Sequence, residues 1–179
     1  GHIDFSYEVS RAIKAVEGAL LLVDASQGVQ AQTLNVLELA KKSGLTVIPV
    51  VNKVDLAVAK VAETKRELCE LLSIDESQIL ETSGKTGVGV KELLEAIILR
   101  VHPPQSSSGQ ACRALIFDFE YSTHQGVIIY VRVLDGLIRK GAALSFVALG
   151  ETFTALEVGY FRPTRKESVE LMAGEIGYI

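Results

Sequence analysis

Thr46-Val47-Ile48-Pro49-Val50-Val51-Asn52-Lys53-Val54-Asp55 is an apolar run that ends in an Asn-Lys-x-Asp cluster. Six of its first seven residues are β-branched or proline, so the run predicts a strand buried on both faces. Its polar groups begin where such a strand should end, and in open α/β sheets ligands bind there. Upstream, Phe5, Val9, Ala12, Ile13 and Val16 recur at helical spacing behind Asp4, a candidate cap, and predict a helix of about three turns. Ala19 to Val23 then reads as a strand ending at Asp24-Ala25-Ser26-Gln27-Gly28. The helix after it carries Val29, Thr33, Val36, Leu37 and Ala40 on one face, and Ser43-Gly44 stops it. Downstream of the opening run, Val61, Leu68 and Leu72 mark a helix, and Ile79 to Thr82 a short strand ending at Ser83-Gly84-Lys85. A last helix turns Val90, Leu93, Leu94, Ile97 and Val101 inward before Pro103-Pro104.

Strand and helix alternate through this half, the pattern of a parallel sheet with right-handed crossovers. From Gln105-Ser106-Ser107-Ser108-Gly109 the composition becomes that of a linker, and the apolar period then turns to β. Ala114–Phe119, Val127–Leu134, Ala143–Leu149 and Thr152–Val158 are the strand candidates, a spacing that suggests a small barrel. The expected division is residues 1–104, an α/β portion; residues 105–110, a linker; and residues 111–179, a β-barrel domain, incomplete. At 179 residues, 48% hydrophobic and 22% charged, the composition is that of an ordinary globular protein. A formal net charge of -4 argues against coating nucleic acid by bulk charge. No apolar run reaches the ~18 residues of a bilayer span. Cys69 and Cys112 lack metal-ligand spacing and read as reduced thiols.

The Asn-Lys-x-Asp cluster carries the sharpest chemistry. The Asp55 carboxylate can accept paired hydrogen bonds from N1–H and the 2-amino group of guanine, a pair that adenine lacks. Asn52 suits a loop-fixing role, and the Lys53 stem can lie along the base or sugar. The ordinary alternative is that Asn52 or Asp55 simply caps the next helix. Ser83-Gly84-Lys85, at the next strand end, offers backbone N–H groups to guanine O6, and two adjacent strand ends on one ligand are more specific than either. Gly84-Lys85-Thr86 imitates the end of a phosphate loop, but G-x-x-x-x-G-K-[ST] needs a glycine where Ile79 stands, and no other stretch of the chain fits. Arg162, Arg165 and Lys166, and the loop of Tyr121 and His124, are assigned no site.

These residues resemble a known family over the whole chain. Asn52-Lys53-Val54-Asp55 and Ser83-Gly84-Lys85 look like the two guanine-recognition motifs of the translational GTPases, with Gly84 where most members carry alanine. Gly1-His2-Ile3-Asp4-Phe5 is similar to the end of the D-x-P-G-H switch motif, so the chain is expected to begin just inside it, with phosphate loop and switch aspartate upstream. Ser6 to Arg11, Leu22 to Thr33, Arg113 to Asp118, Gly126-Val127-Ile128, Arg139-Lys140-Gly141 and Ala173 to Tyr178 resemble the LepA line in particular. The resemblance implies an α/β fold, a partial P-loop GTPase-type parallel sheet with crossover helices, followed by a small antiparallel β-barrel. It implies a ribosome-dependent GTP hydrolase of translation elongation, inactive as this segment alone. His2 would position the attacking water, and the base site would be Asn52, Lys53, Asp55, Ser83, Gly84 and Lys85. It further implies GTP and GDP as ligands, and Mg2+ with its ligands upstream of Gly1. The partners would be the ribosome and tRNA, with peripheral membrane association as a possibility within the family, a monomeric state, and a bacterial cytoplasm or organelle matrix. The alternatives are a TypA-like translation factor and a non-hydrolysing ribosome-binding adaptor.

Overall fold

A computed structural model describes residues 6–105, 111–124 and 126–179. The chain divides into two compact units, residues 1–102 and residues 103–179. The first contains α1 (Ser6–Ile13), β1 (Gly18–Asp24), α2 (Ala31–Lys42), β2 (Thr46–Asn52), α3 (Val61–Leu72), β3 (Leu80–Glu81) and α4 (Val90–Arg100). Its three strands form a parallel sheet in the order β1-β2-β3, so the opening run of the sequence becomes the central strand. Ile48, Val50 and Val51 are accordingly fully buried. Pro49, which cannot donate to a ladder, sits one residue outside the stretch that pairs with β3. Leu21, Val23 and Val51 of the sheet close one core with Leu37 of α2 and Leu68 of α3.

Several helical faces differ from the sequence expectation. α1 is eight residues long and ends at Ile13, because Lys14 and Ala15 bond back to Arg11 and Ala12 in a tightened turn. Val16 is therefore exposed, and Asp4 and Phe5 lie outside the described residues. Val36 and Leu94 were expected inward but are exposed, because α2 buries Leu37 and Ala40, and α4 buries Ala96. In α4 the apolar residues surround most of the helix, so their spacing does not single out the buried stripe.

The second unit is antiparallel β: β4 (Arg113–Ser122), β5 (Gly126–Asp135), β6 (Leu137–Arg139), β7 (Ala143–Ser145), β8 (Thr152–Thr154), β9 (Val158–Arg162), β10 (Thr164–Ser168), β11 (Glu170–Met172) and β12 (Ile176–Tyr178). A five-stranded sheet β10-β9-β12-β5-β4 and the pairs β11-β6 and β7-β8 share the core of Ile129, Val131, Val133, Ile138, Ala155, Val158 and Leu171. Two expected strands are shorter than predicted. Ala143–Leu149 stops at Ser145, because Leu149 and Gly150 both bond back to the Phe146 carbonyl and turn the chain. Thr152–Val158 breaks at Ala155, where β8 ends and Ala155 bonds Ala142 and Gly141 just ahead of β7. The brief strands β6, β10, β11 and β12 had no separate signal in the sequence. Of the linker expected at 105–110, residues 106–110 lie outside the described residues.

Candidate guanine-base site

The carboxyl ends of β2 and β3 bring Asn52-Lys53-Val54-Asp55 and Ser83-Gly84-Lys85 together. Parallel pairing of Val50 with Leu80 and Val51 with Glu81 sets the register, and the ladder continues past the strands. Thr82 N–H donates to Val51 O at 2.8 Å, and Val54 N–H donates to Thr82 O at 3.3 Å. Side chains then tie the loops. Ser83, fully buried, donates its hydroxyl to Asp55 Oδ1 at 2.6 Å and accepts the Thr86 N–H at 3.1 Å. Asn52 Oδ1 accepts from Thr82 Oγ1 at 3.3 Å and from Gly84 N–H at 3.2 Å. Asn52 therefore has the loop-fixing geometry expected of it.

The arrangement presents a small set of open groups. A carboxylate oxygen has more than one acceptor site, so the bond from Ser83 orients Asp55 without exhausting it. Among the described residues, Oδ2 of Asp55 accepts no hydrogen bond. Of the backbone donors expected to face guanine O6, Ser83 N–H is bonded to Val88 O at 2.9 Å and Gly84 N–H to Asn52. Lys85 N–H is the open one of the three among the described residues. Asp55, Gly84 and Lys85 are exposed, which leaves this edge accessible.

Lys53 has φ +64, a left-handed conformation that few side chains other than asparagine adopt. Its ammonium lies 2.6 Å from Asp24 Oδ2, at the end of β1. The hydrogen bonds from Lys53 and then from Ser26 hold the Asp24 carboxyl down at about 2. The sequence reading missed this pair, although both residues stand where neighbouring strands end. It also missed Glu67 of α3, whose Oε2 accepts Val29 N–H at 2.8 Å and so steadies the loop after β1.

His2, the implied water-positioning residue, lies outside the described residues, as do Gly1, Ile3 and the rest of the switch-like segment. Among the described residues no three His, Cys, Asp or Glu side chains gather into a group that could hold a metal ion. No described residue is assigned to the Mg2+ that the resemblance implies. In the β unit, Arg165 is engaged by Glu120 at 2.7 Å and lies over the Tyr178 ring, while Arg162 lies over Tyr160.

The sequence profile of the elongation factor Tu GTP binding domain matches residues 1–103. Over all 179 residues the chain is 49% identical to elongation factor 4 of Synechococcus elongatus, of which it covers 30%. It is also 49% identical to the chloroplastic translation factor GUF1 homolog of Arabidopsis thaliana, of which it covers 26%, and 48% identical to elongation factor 4 of Dehalococcoides mccartyi. The chain thus spans 30% or less of the length of these curated relatives. Among solved structures, translation elongation factor SelB of Methanococcus maripaludis, in complex with the GTP analogue GppNHp, superposes with a TM-score of 0.81 at 22% identity. That match covers 99% of this chain and 40% of the other, and it shows a shared fold.

Proposed function

Because the chain belongs to the elongation factor Tu GTP-binding domain family, we propose that its two strand-end loops form a guanine-base site and that the full-length protein is a LepA-like, ribosome-dependent GTP hydrolase of translation elongation. The observation that carries the reading is the knit between the loops. Asp55 is oriented by a buried serine, and Asn52 bridges to Gly84. Loops tied to each other by side chains lose less binding free energy to ordering when they take a ligand.

Asp55 accepts N1–H and the 2-amino group of guanine. Guanine O6 lies at the Ser83–Lys85 turn, where Lys85 N–H is open and the long Gly84 bond can be shared. The Lys53 stem lies along the base, and Asn52 fixes the geometry of both loops. Adenine would leave Asp55 facing an acceptor at N1, a mismatch at a polar group that sites of this kind reject by roughly 10⁴. In the full-length protein His2 would orient the water that attacks the γ-phosphate, and a bound Mg2+ would supply neutralisation of phosphate charge. The division adopted is a GTP-binding portion to residue 104, a linker over 105–110 and a β-barrel domain over 111–179, supported by the two compact units. The ribosome and tRNA are the partners, and the protein acts as a monomer, free or peripheral to a membrane, in a bacterial cytoplasm or an organelle matrix.

The test is base preference in the full-length gene product. Asp55→Asn replaces one acceptor by a donor, so GTP affinity should fall by at least ~100-fold while xanthosine triphosphate, which offers a carbonyl at position 2, gains. Unchanged GTP affinity would remove Asp55 from the site. Turnover that ribosomes do not stimulate would refute the translational assignment.

A further inference from the structure

We propose that Asp24 is a positioning residue for the base site, holding Lys53 by its ammonium so that the lysine stem is set against the guanine face before the nucleotide arrives. The inference rests on the guanine-site reading above and assigns a role to a residue outside both recognition motifs. Its basis is a chain of fixed points. In the parallel register Asp24 is the direct partner of Asn52, so the ends of β1 and β2 stand side by side. Ala25 N–H then donates to Asn52 O at 2.9 Å, and Lys60 N–H donates to Ala25 O at 2.7 Å, so the tip of β1 is bonded to the start of the recognition loop and to the residue that precedes α3.

The Asp24 carboxylate is itself immobilised. Its Oδ1 accepts Ser26 N–H at 2.8 Å and Ser26 Oγ at 2.7 Å, which leaves Oδ2 for Lys53 Nζ at 2.6 Å. The Asp24 side chain is 19% exposed, whereas that of Lys53 is 53% exposed. Lys53 is thus anchored at its backbone, by an uncommon left-handed conformation, and at its head, by Asp24, with half of its surface open between. A lysine held at one end only would lose its rotamer freedom on binding; held at both, it has lost that freedom already. Asp55 selects the base, and Asp24 acts on how tightly any base with the right face is held.

The test uses the full-length gene product, with a fluorescent GDP to read dissociation constant and dissociation rate. Asp24→Asn keeps the shape of the side chain and loses the ion pair. It should weaken GDP binding by ~3–10-fold, raise KM for GTP in step and leave kcat at saturation unchanged. Lys53→Met should weaken binding at least as much, and Asp24→Asn added to Lys53→Met should do nothing further. Preference for guanine over xanthine should be the same in every variant. Additive losses in the double variant, unchanged affinity, or tighter binding by Asp24→Asn would each overturn the proposal, the last by making the pair a latch that the nucleotide must break. Should Asp24→Asn fail to fold by circular dichroism, Ser26→Ala reads the same linkage by loosening Oδ1 alone. A loss of ~2-fold is then expected, and no loss overturns the proposal. If the unsubstituted protein binds no GDP, the base-site reading itself fails; if it binds and the variants are additive, this inference fails alone.

Discussion

Replacing Gly89 by alanine probes how closely α4 is seated on the strand that feeds the Ser83–Lys85 turn. Gly89 precedes α4 with φ +70, and a Cβ placed on it would stand 1.8 Å from the Glu81 carbonyl oxygen and 3.0 Å from its carbon. Both atoms are backbone of β3, so no side-chain rotation relieves the overlap. The left-handed conformation costs an alanine ~1–2 kcal/mol, and forcing packed elements apart costs another ~1–3 kcal/mol. Together they predict ~2–5 kcal/mol of lost stability. Gly84 is the internal control, because a Cβ there meets no heavy atom within 4 Å and its φ is not positive. Gly84→Ala should therefore change stability by less than ~0.5 kcal/mol. All helices among the described residues lie in the first unit, so thermal or urea unfolding followed by circular dichroism at 222 nm reports on it. At ~4–8 °C per kcal/mol for a unit of this size, Gly89→Ala should melt at least ~8 °C lower and Gly84→Ala within ~4 °C of the parent. Equal melting temperatures for the two variants would refute the packing described between α4 and β3.

Two further outcomes test the core and the electrostatics. Leu68→Ala removes a fully buried side chain that touches the sheet core and should cost ~2–5 kcal/mol, seen as a lower urea midpoint with an unchanged slope; a loss under ~1 kcal/mol would mean that α3 does not close this core. The Asp24 carboxyl has a folded-state pKa below its unfolded value, so its contribution is complete above ~pH 5 and disappears as pH falls from ~4 towards ~2. Because Lys53 is half-exposed, that contribution is on the order of 1 kcal/mol, and the stability gap between parent and Asp24→Asn should close over that interval. A gap that stays constant down to ~pH 2 would contradict it.

The parallel half of the fold was legible because β2 is covered on both faces, and an unbroken β-branched run has few other uses. Helical faces were less legible. Val36 neighbours the buried Leu37, and Leu94 belongs to a helix apolar nearly all round, so choosing the inward residue required knowing where the sheet lay. Short strands such as β11 and β12 are specified by partners distant in sequence, which local alternation does not reveal. At the site, Asn52, Asp55 and Ser83 were readable as motif residues because their polar groups stand where apolar strands end. The partnership of Asp24 with Lys53 was not, since it depends on the register that places Asp24 opposite Asn52. Nor was the engagement of Gly84 N–H by Asn52, which narrows the donors left for a ligand.

The left-handed backbone at Lys53 marks a position where the chain is locally frustrated. Glycine would occupy that conformation without penalty and would release the loop from its most awkward residue. Folding gains only about 1 kcal/mol from the pair of this lysine with Asp24, against the ~1–2 kcal/mol that a left-handed side chain costs. Its presence records a second requirement acting on the same residue, one met by a long cationic side chain and not by the backbone that carries it. Variants selected only for heat resistance should therefore abandon this lysine early.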